Sequence, residues 1–93
     1  MSLRFTWDPA RAAANLRKHG ASFVEASTAF ADPLSITIAD PDHSVSEEHF
    51  VLVGRSDRDR LLIVAHVERG DLIRIINARL ATRRERKTYE EEN

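Results

Sequence analysis

Residues 72–89, LIRIINARLATRRERKTY, hold six cations, Arg74, Arg79, Arg83, Arg84, Arg86 and Lys87, against the single Glu85. The stretch is therefore +5 in a chain whose net charge is −1, and everything else carries −6. Positive charge gathered on one unit of an otherwise acidic protein is the arrangement expected where phosphates are held at one place. Two elements share these residues. Arg74 and Arg79 fall in an apolar, strand-like run, and the other four cations open the helix that follows.

That helix gains nothing from its cations. Thr82 reads as N-cap with Glu85 at N3, a capping-box pattern. Arg83, Arg84, Arg86 and Lys87 then occupy the first turn and a half, with Glu90, Glu91 and Glu92 in the last turn. The helix dipole prefers the reverse order by roughly 0.3–1 kcal/mol per favourably placed charge. The pairs Arg86–Glu90 and Lys87–Glu91 also run in the weaker direction. An anionic partner accounts for residues that helix stability does not. The plainer reading is a solvated charge run.

The elements that position these residues are marked by turn and cap signals. Residues 3–6 are expected as a short strand with Phe5 inward. Asp8 is the N-cap and Pro9 the N1 residue of a first helix closed by Gly20. Its apolar stripe is Ala12, Ala13 and Leu16, with Arg11, Asn15 and Lys18 on another face. Ser22 and Glu25 make a second capping box, Phe23, Ala26 and Phe30 follow at helical spacing, and Asp32-Pro33 ends that helix. Trp7, Phe23 and Phe30 read as core.

Strands are expected over residues 34–39, 49–55, 61–68 and 72–79, separated by Asp40-Pro41, by a turn over residues 56–59, and by Gly70-Asp71 as a two-residue hairpin. In a tight hairpin Arg69 opposes Leu72 and His66 opposes Ile75. Alternation then puts Leu61, Ile63, Ala65, Val67, Leu72, Ile76 and Ala78 on one face, expected to pack on the helices. Leu62, Val64, His66, Glu68, Ile73, Ile75, Asn77 and Arg79 take the other, close to where the basic helix departs. Arg74 falls on the apolar face by this count, so either a bulge turns it out or an acid pairs with it. The expected fold class is α+β: a short N-terminal strand, two helices on a mostly antiparallel four-stranded sheet, and a C-terminal basic helix.

Size and composition narrow the possibilities. Ninety-three residues suit one domain, spanning residues 1–93, with one modest core. A hydrophobic share of 42% against 31% charged argues against disorder. The absence of cysteine excludes disulfides and thiolate chemistry. The longest unbroken apolar run, residues 61–65, is far too short for a bilayer, so no membrane partner is expected. Asp8 and Pro9 follow too soon for a signal peptide, and a cytoplasmic location is expected.

Taken together, the residues resemble the BrnT family of bacterial toxins, small ribonucleases of type II toxin–antitoxin pairs. The N-terminal part of the resemblance is FTWDPARAAANLRKHGASFVEASTAFADP, with its Trp-Asp-Pro, a spaced Asn, Lys-His-Gly, and a Phe-x-Glu-Ala helix ending in Asp-Pro. The C-terminal part is Gly-Arg-Ser, then RIINARLATRRER and a later Tyr. The chain departs from the pattern at Asn77, where serine is expected before Ala-Arg, and at His49, where arginine is more frequent. The resemblance implies a RelE-like fold and RNA cleavage without a metal, which inhibits translation. It also implies an antitoxin partner, BrnA, that binds DNA, with a homodimer possible inside the complex.

Metal-independent RNA cleavage needs a base for the 2′-hydroxyl proton, cations at the phosphorane, and an acid for the leaving 5′-oxygen. His66 and Arg79 are the leading catalytic pair on the inferred face, though His66 also reads as a strand histidine satisfied by a neighbour. Glu85 is a second candidate base or simply the capping-box carboxylate. Tyr89, one turn beyond Glu85, could stack on a base, donate a proton, or pack. Arg83, Arg84, Arg86 and Lys87 would bind RNA. Lys18 and His19 extend that track or complement a helix C-terminus. His19, His43, His49 and His66 lack metal-ligand spacing, and Asp40 and Asp42 read as turn residues, so no cofactor is expected. Two other classes fit the charge: a non-catalytic nucleic-acid-binding or co-repressor module, and a protein-interaction domain that docks an acidic partner.

Overall fold

In the computed structural model, which describes residues 2–40 and 47–93, the cap residues set the helix bounds. Asp8 accepts from Arg11 N at 3.2 Å, and Gly20, at φ 69°, closes α1 (Pro9–His19) with its N–H on Leu16 O. Only a residue free of a Cβ takes that left-handed conformation readily. Ser22 accepts from Glu25 N at 2.9 Å to open α2 (Phe23–Thr28), which runs into a 3-10 turn, Ala29–Ala31. The second capping box forms only by half. The Glu25 side chain turns into the protein instead, accepting from Ser56 Oγ at 2.7 Å and Arg60 Nε at 2.9 Å.

The strands are β1 (Arg4–Thr6), β2 (Ile36–Ala39), β3 (His49–Arg55), β4 (Leu61–Arg69) and β5 (Leu72–Leu80), and α3 (Arg83–Glu92) follows. They form one sheet in the order β1-β5-β4-β3-β2. All neighbours are antiparallel except β1, which runs parallel to β5. The sheet thus has five strands where four were expected. Three residues are too few to show a period, and β1 is a strand only because Leu72, Ile73 and Arg74 offer it an edge. β2 starts later than expected because Asp32 caps a turn first, accepting from Leu34 N at 2.9 Å and, through its carbonyl, from Ser35 N at 3.0 Å. Its expected stop at Pro41 lies outside the described residues.

The β4–β5 hairpin has the expected register, Arg69 opposite Leu72 and His66 opposite Ile75, with Gly70 at φ 61°. The assignment of faces does not survive. Leu62, Val64, Ile73 and Ile75 join Ala21, Phe23, Ala26 and Ala29 in the core, so the group that carries His66 faces the helices. Beyond His66 a bulge adds Ile76 to β5, and pairing resumes with Ala65 opposite Asn77. A one-residue insertion reverses every later side chain on its strand. Ala78 therefore turns to α1 and α2, while Asn77 and Arg79 turn to the opposite face with Ala65 and the buried Ile63. His66 and Arg79 end on opposite sides of the sheet.

Both faces of β4 are apolar, so alternation sorts its residues into two sets without saying which set meets the helices. Gly54 decides that. A Cβ there would lie 2.7 Å from Ala29 O, so the 3-10 turn sits directly on β3. Leu62 pairs with Gly54 and shares its face. In α1 the inward residue is Asn15, with Ala12 packed beside the core, while Leu16 is half exposed; the expected Ala12-Ala13-Leu16 stripe is not the buried face.

Candidate nucleic-acid interface

The capping box at the start of α3 forms in full: Thr82 Oγ1 accepts from Glu85 N at 3.2 Å, and Glu85 Oε1 from Thr82 N at 2.9 Å. The same carboxylate takes Arg79 in a two-toothed pair, with Nη1 and Nη2 each donating over 2.8 Å. Those bonds, with the Thr82 N–H, hold the Glu85 carboxyl down at about 2 and raise the Arg79 guanidinium. Fork-to-fork geometry fixes the plane of the guanidinium as well as its position. The Arg79 side chain is still 37% exposed, on the sheet face away from α1 and α2, where α3 begins. Glu85 locks Arg79 in place. A carboxylate this acidic is a poor base for a hydroxyl proton, so the expectation that Glu85 serves as base is not supported by its surroundings.

Arg83, Arg84, Arg86 and Lys87 are all exposed, and among the described residues none has a side-chain hydrogen bond or ion pair. Glu90, Glu91 and Glu92 lie at the other end of the same helix and, among the described residues, form no ion pair with them. Tyr89 is the buried residue of α3, 4% exposed, its hydroxyl donating to Asp32 Oδ2 at 2.6 Å with Arg55 over its ring. Burial, then the Asp32 bond, raises its hydroxyl above the ordinary range. It docks α3 on the turn before β2 and is not offered to a nucleobase. Tyr89→Phe should lower the melting temperature by a few degrees, about 1 kcal/mol for one hydrogen bond. RNA binding per folded molecule should be unchanged, which titration after a thermal melt would check.

His66 has no exposed surface. It lies against the Phe30 ring edge-on and stacked with Phe50, Nδ1 3.1 Å from Val64 O and Nε2 2.9 Å from Glu68 Oε2. This is the neighbour-satisfied strand histidine, and the pairing with Arg79 expected from alternation is overturned by the bulge.

Lys18 and His19 end α1 beside β5. With Arg11, Ala14, Asn15, Ile76 and Asn77 they line a groove of about 150 Å³. Asn15 builds that junction. Its amide bonds both backbone groups of Ala78, donating to the carbonyl at 2.7 Å and accepting from the N–H at 3.1 Å, and donates also to Ala21 O at 3.0 Å. It thereby takes the place of a strand residue where β5 extends past β1. Arg60 secures the same end of α1 through Gly20 O, while Glu25, 4% exposed, is held ionised chiefly by its hydrogen bond from Arg60. Composition alone hid these roles; a lone asparagine among alanines was the available signal for Asn15. Among the described residues no three His, Asp or Glu side chains converge as metal ligands, and His43 and Asp42 lie outside those residues.

Three helices and a five-stranded sheet, with four exposed cations that are unpaired among the described residues, define a small mixed α+β protein. A family model described as "Ribonuclease toxin, BrnT, of type II toxin-antitoxin system" matches residues 7–85, and the chain belongs to that family. Membership implies an antitoxin partner. The fold matches the 1.1 Å crystal structure of the Brucella abortus ribonuclease toxin BrnT, with a TM-score of 0.63 and 16% identity, over 88% of this chain and 100% of that one. At that identity the likeness is one of fold. No curated protein matches the chain. No helix among the described residues is long and apolar enough to cross a membrane.

Proposed function

We propose that the chain is an endoribonuclease that cuts RNA without a metal, inhibits translation in the cytoplasm, and is neutralised by a DNA-binding antitoxin seated on its basic rim. The observation that carries this is the set of four exposed cations on α3, unpaired among the described residues, next to an arginine held rigid by Glu85. Helix stability gives no reason to keep them there, and a polyphosphate chain does.

In this reading the strand crosses the rim between the end of α1 and the start of α3, as on a RelE-like scaffold. Arg79 binds the phosphate in one plane, and Arg83, Arg84, Arg86 and Lys87 hold its neighbours. Attack of the 2′-oxygen on phosphorus releases the 5′-oxygen and leaves a 2′,3′-cyclic phosphate. With His66 buried, the imidazole placed to take the 2′-hydroxyl proton is that of His19, which shares its groove with Lys18 and Asn77. Its replacement by asparagine should abolish cleavage while leaving binding.

Purified protein incubated with RNA in EDTA should cleave it, and addition of the antitoxin should stop the reaction. Replacing Arg83, Arg84 and Arg86 with glutamine should flatten the log–log salt dependence of RNA binding by about 2, roughly 0.7 per phosphate no longer neutralised. An unchanged slope in a folded triple variant would remove these residues from the interface. The second reading, a non-catalytic binding module, draws on a specific observation: His66, Glu85 and Tyr89 all have their polar atoms bonded within the protein. It predicts the same salt slope with no cleavage at all.

A further inference from the structure

Arg74, left by the sequence between two explanations, has a definite environment. On β5 before the bulge it pairs with Val67, and this puts it on the face away from α1 and α2 that Arg79 also occupies. Its Nη2 donates to Glu47 Oε1 at 2.7 Å, and Arg69 Nη2 donates to the other oxygen of the same carboxylate. The Arg74 and Arg69 side chains are 51% and 71% exposed. With Thr6, Val67 and Leu72 the trio lines a cavity of about 280 Å³.

Exposed ion pairs of this kind contribute little to stability, so folding alone gives weak reason for two arginines to converge here. Their geometry is that of anion recognition: two planar donors set on two oxygens that share one central atom. A phosphodiester presents the same pair of oxygens. We propose that Arg69 and Arg74 form a second phosphate subsite at this cavity, on the sheet face away from α1 and α2, and that Glu47 occupies it until a strand of RNA displaces the carboxylate. The inference rests on the ribonuclease reading and deepens it.

The spacing supports a subsite for a polymer. Arg79 pairs with Ile63 and Arg74 with Val67, four residues apart on β4, or about 13 Å at the rise of a strand. One strand reaching both arginines therefore offers them different phosphates. The Arg69 hydrogen bond, helped by the charges of Arg74 and Arg69, keeps the Glu47 carboxyl below its usual range, so it is charged at neutral pH. A single nucleotide held at Arg79 cannot reach the occupied clamp, whereas a longer strand competes for it with a phosphate already tethered nearby. Glu47 thus raises the selectivity for chains over mononucleotides.

The test uses the whole protein and a mixed-sequence 2′-O-methyl oligonucleotide, which cannot be cleaved through a 2′-hydroxyl, with binding titrated against salt and normalised to folded protein. Arg74→Gln should flatten the slope by about 0.7. Glu47→Gln should tighten binding about two- to fivefold, the scale of one exposed ion pair, and Glu47→Asp should leave it near wild type. The gain should vanish when Arg69 and Arg74 are also glutamine. If wild type binds but Glu47→Gln is no tighter, and Arg74→Gln keeps the full slope, the subsite is overturned while the rim on α3 stands. It is overturned in the same way if Glu47→Gln merely melts early, which makes the trio a clasp on the chain. If wild type does not bind the oligonucleotide at all, the ribonuclease reading fails, and the subsite with it.

Discussion

Arg79→Lys is expected to slow RNA cleavage by about 10²–10³ while binding falls only slightly, the usual loss when one preorganised contact to a developing charge is removed. The arginine is held by two bonds of 2.8 Å to Glu85, and its Nη1 also donates to Leu80 O at 3.3 Å, which leaves Nε and the second N–H of Nη2 for a phosphate. Lysine keeps the charge but cannot be clamped in a plane or present two donors to one phosphate. Glu85→Gln should act through Arg79, lowering the rate at every pH from 5 to 9 without changing the shape of the profile. The reason is the Glu85 carboxyl at about 2: the pair is fully formed across that range. Its stabilisation is present above the ordinary carboxylate value and disappears as pH falls from there through about 2. At the partial exposure of this pair it is worth on the order of 1–2 kcal/mol after screening by solvent. Single-turnover rates and melts on the same preparations separate the two roles. Should Arg79→Gln melt early yet turn over normally per folded molecule, Arg79 belongs to the scaffold and Glu85 is simply its partner.

The largest effect on stability is expected at Asn15. Asn15→Ala removes three hydrogen bonds at once and strands the N–H and carbonyl of Ala78 and the carbonyl of Ala21 in buried surroundings. Unmade bonds of this kind cost about 1–3 kcal/mol each and overlap when they share a site, so the total should be about 2–4 kcal/mol. For a chain of this size the melting temperature should then drop by about 10–20 °C. Leu16→Ala, one residue on, removes a larger side chain from a half-exposed position and should shift stability by less than about 0.5 kcal/mol. Equal losses at the two positions would show that Asn15 does not complete the β5 edge. Because the groove beside Lys18 and His19 rests on this junction, RNA binding should weaken in Asn15→Ala beyond what unfolding explains.

Much of this protein is legible in local chemistry. Asp8, Pro9, Gly20, Ser22 and Thr82 place both ends of α1 and the starts of α2 and α3, since a cap is a bond between near neighbours and needs nothing from the rest of the chain. Gly70-Asp71 places the hairpin and its register for the same reason. The charge imbalance marks α3 and the end of β5, because like charges kept together against the helix dipole need a partner outside the helix.

What the tertiary structure alone decided is which side chains meet. The bulge at Ile76 arises from the fit of β5 to β4, and it separates His66 from Arg79 although each sits in the strand where alternation put it. Burial of His66 between Phe30 and Phe50 joins elements far apart in the chain, and so do the bonds from Tyr89 to Asp32 and from Asn15 to Ala78. Alternation is a property of one strand. A face, and therefore a site, is a property of several strands packed against helices, where a single extra residue or a missing Cβ at Gly54 outweighs the pattern of the strand itself.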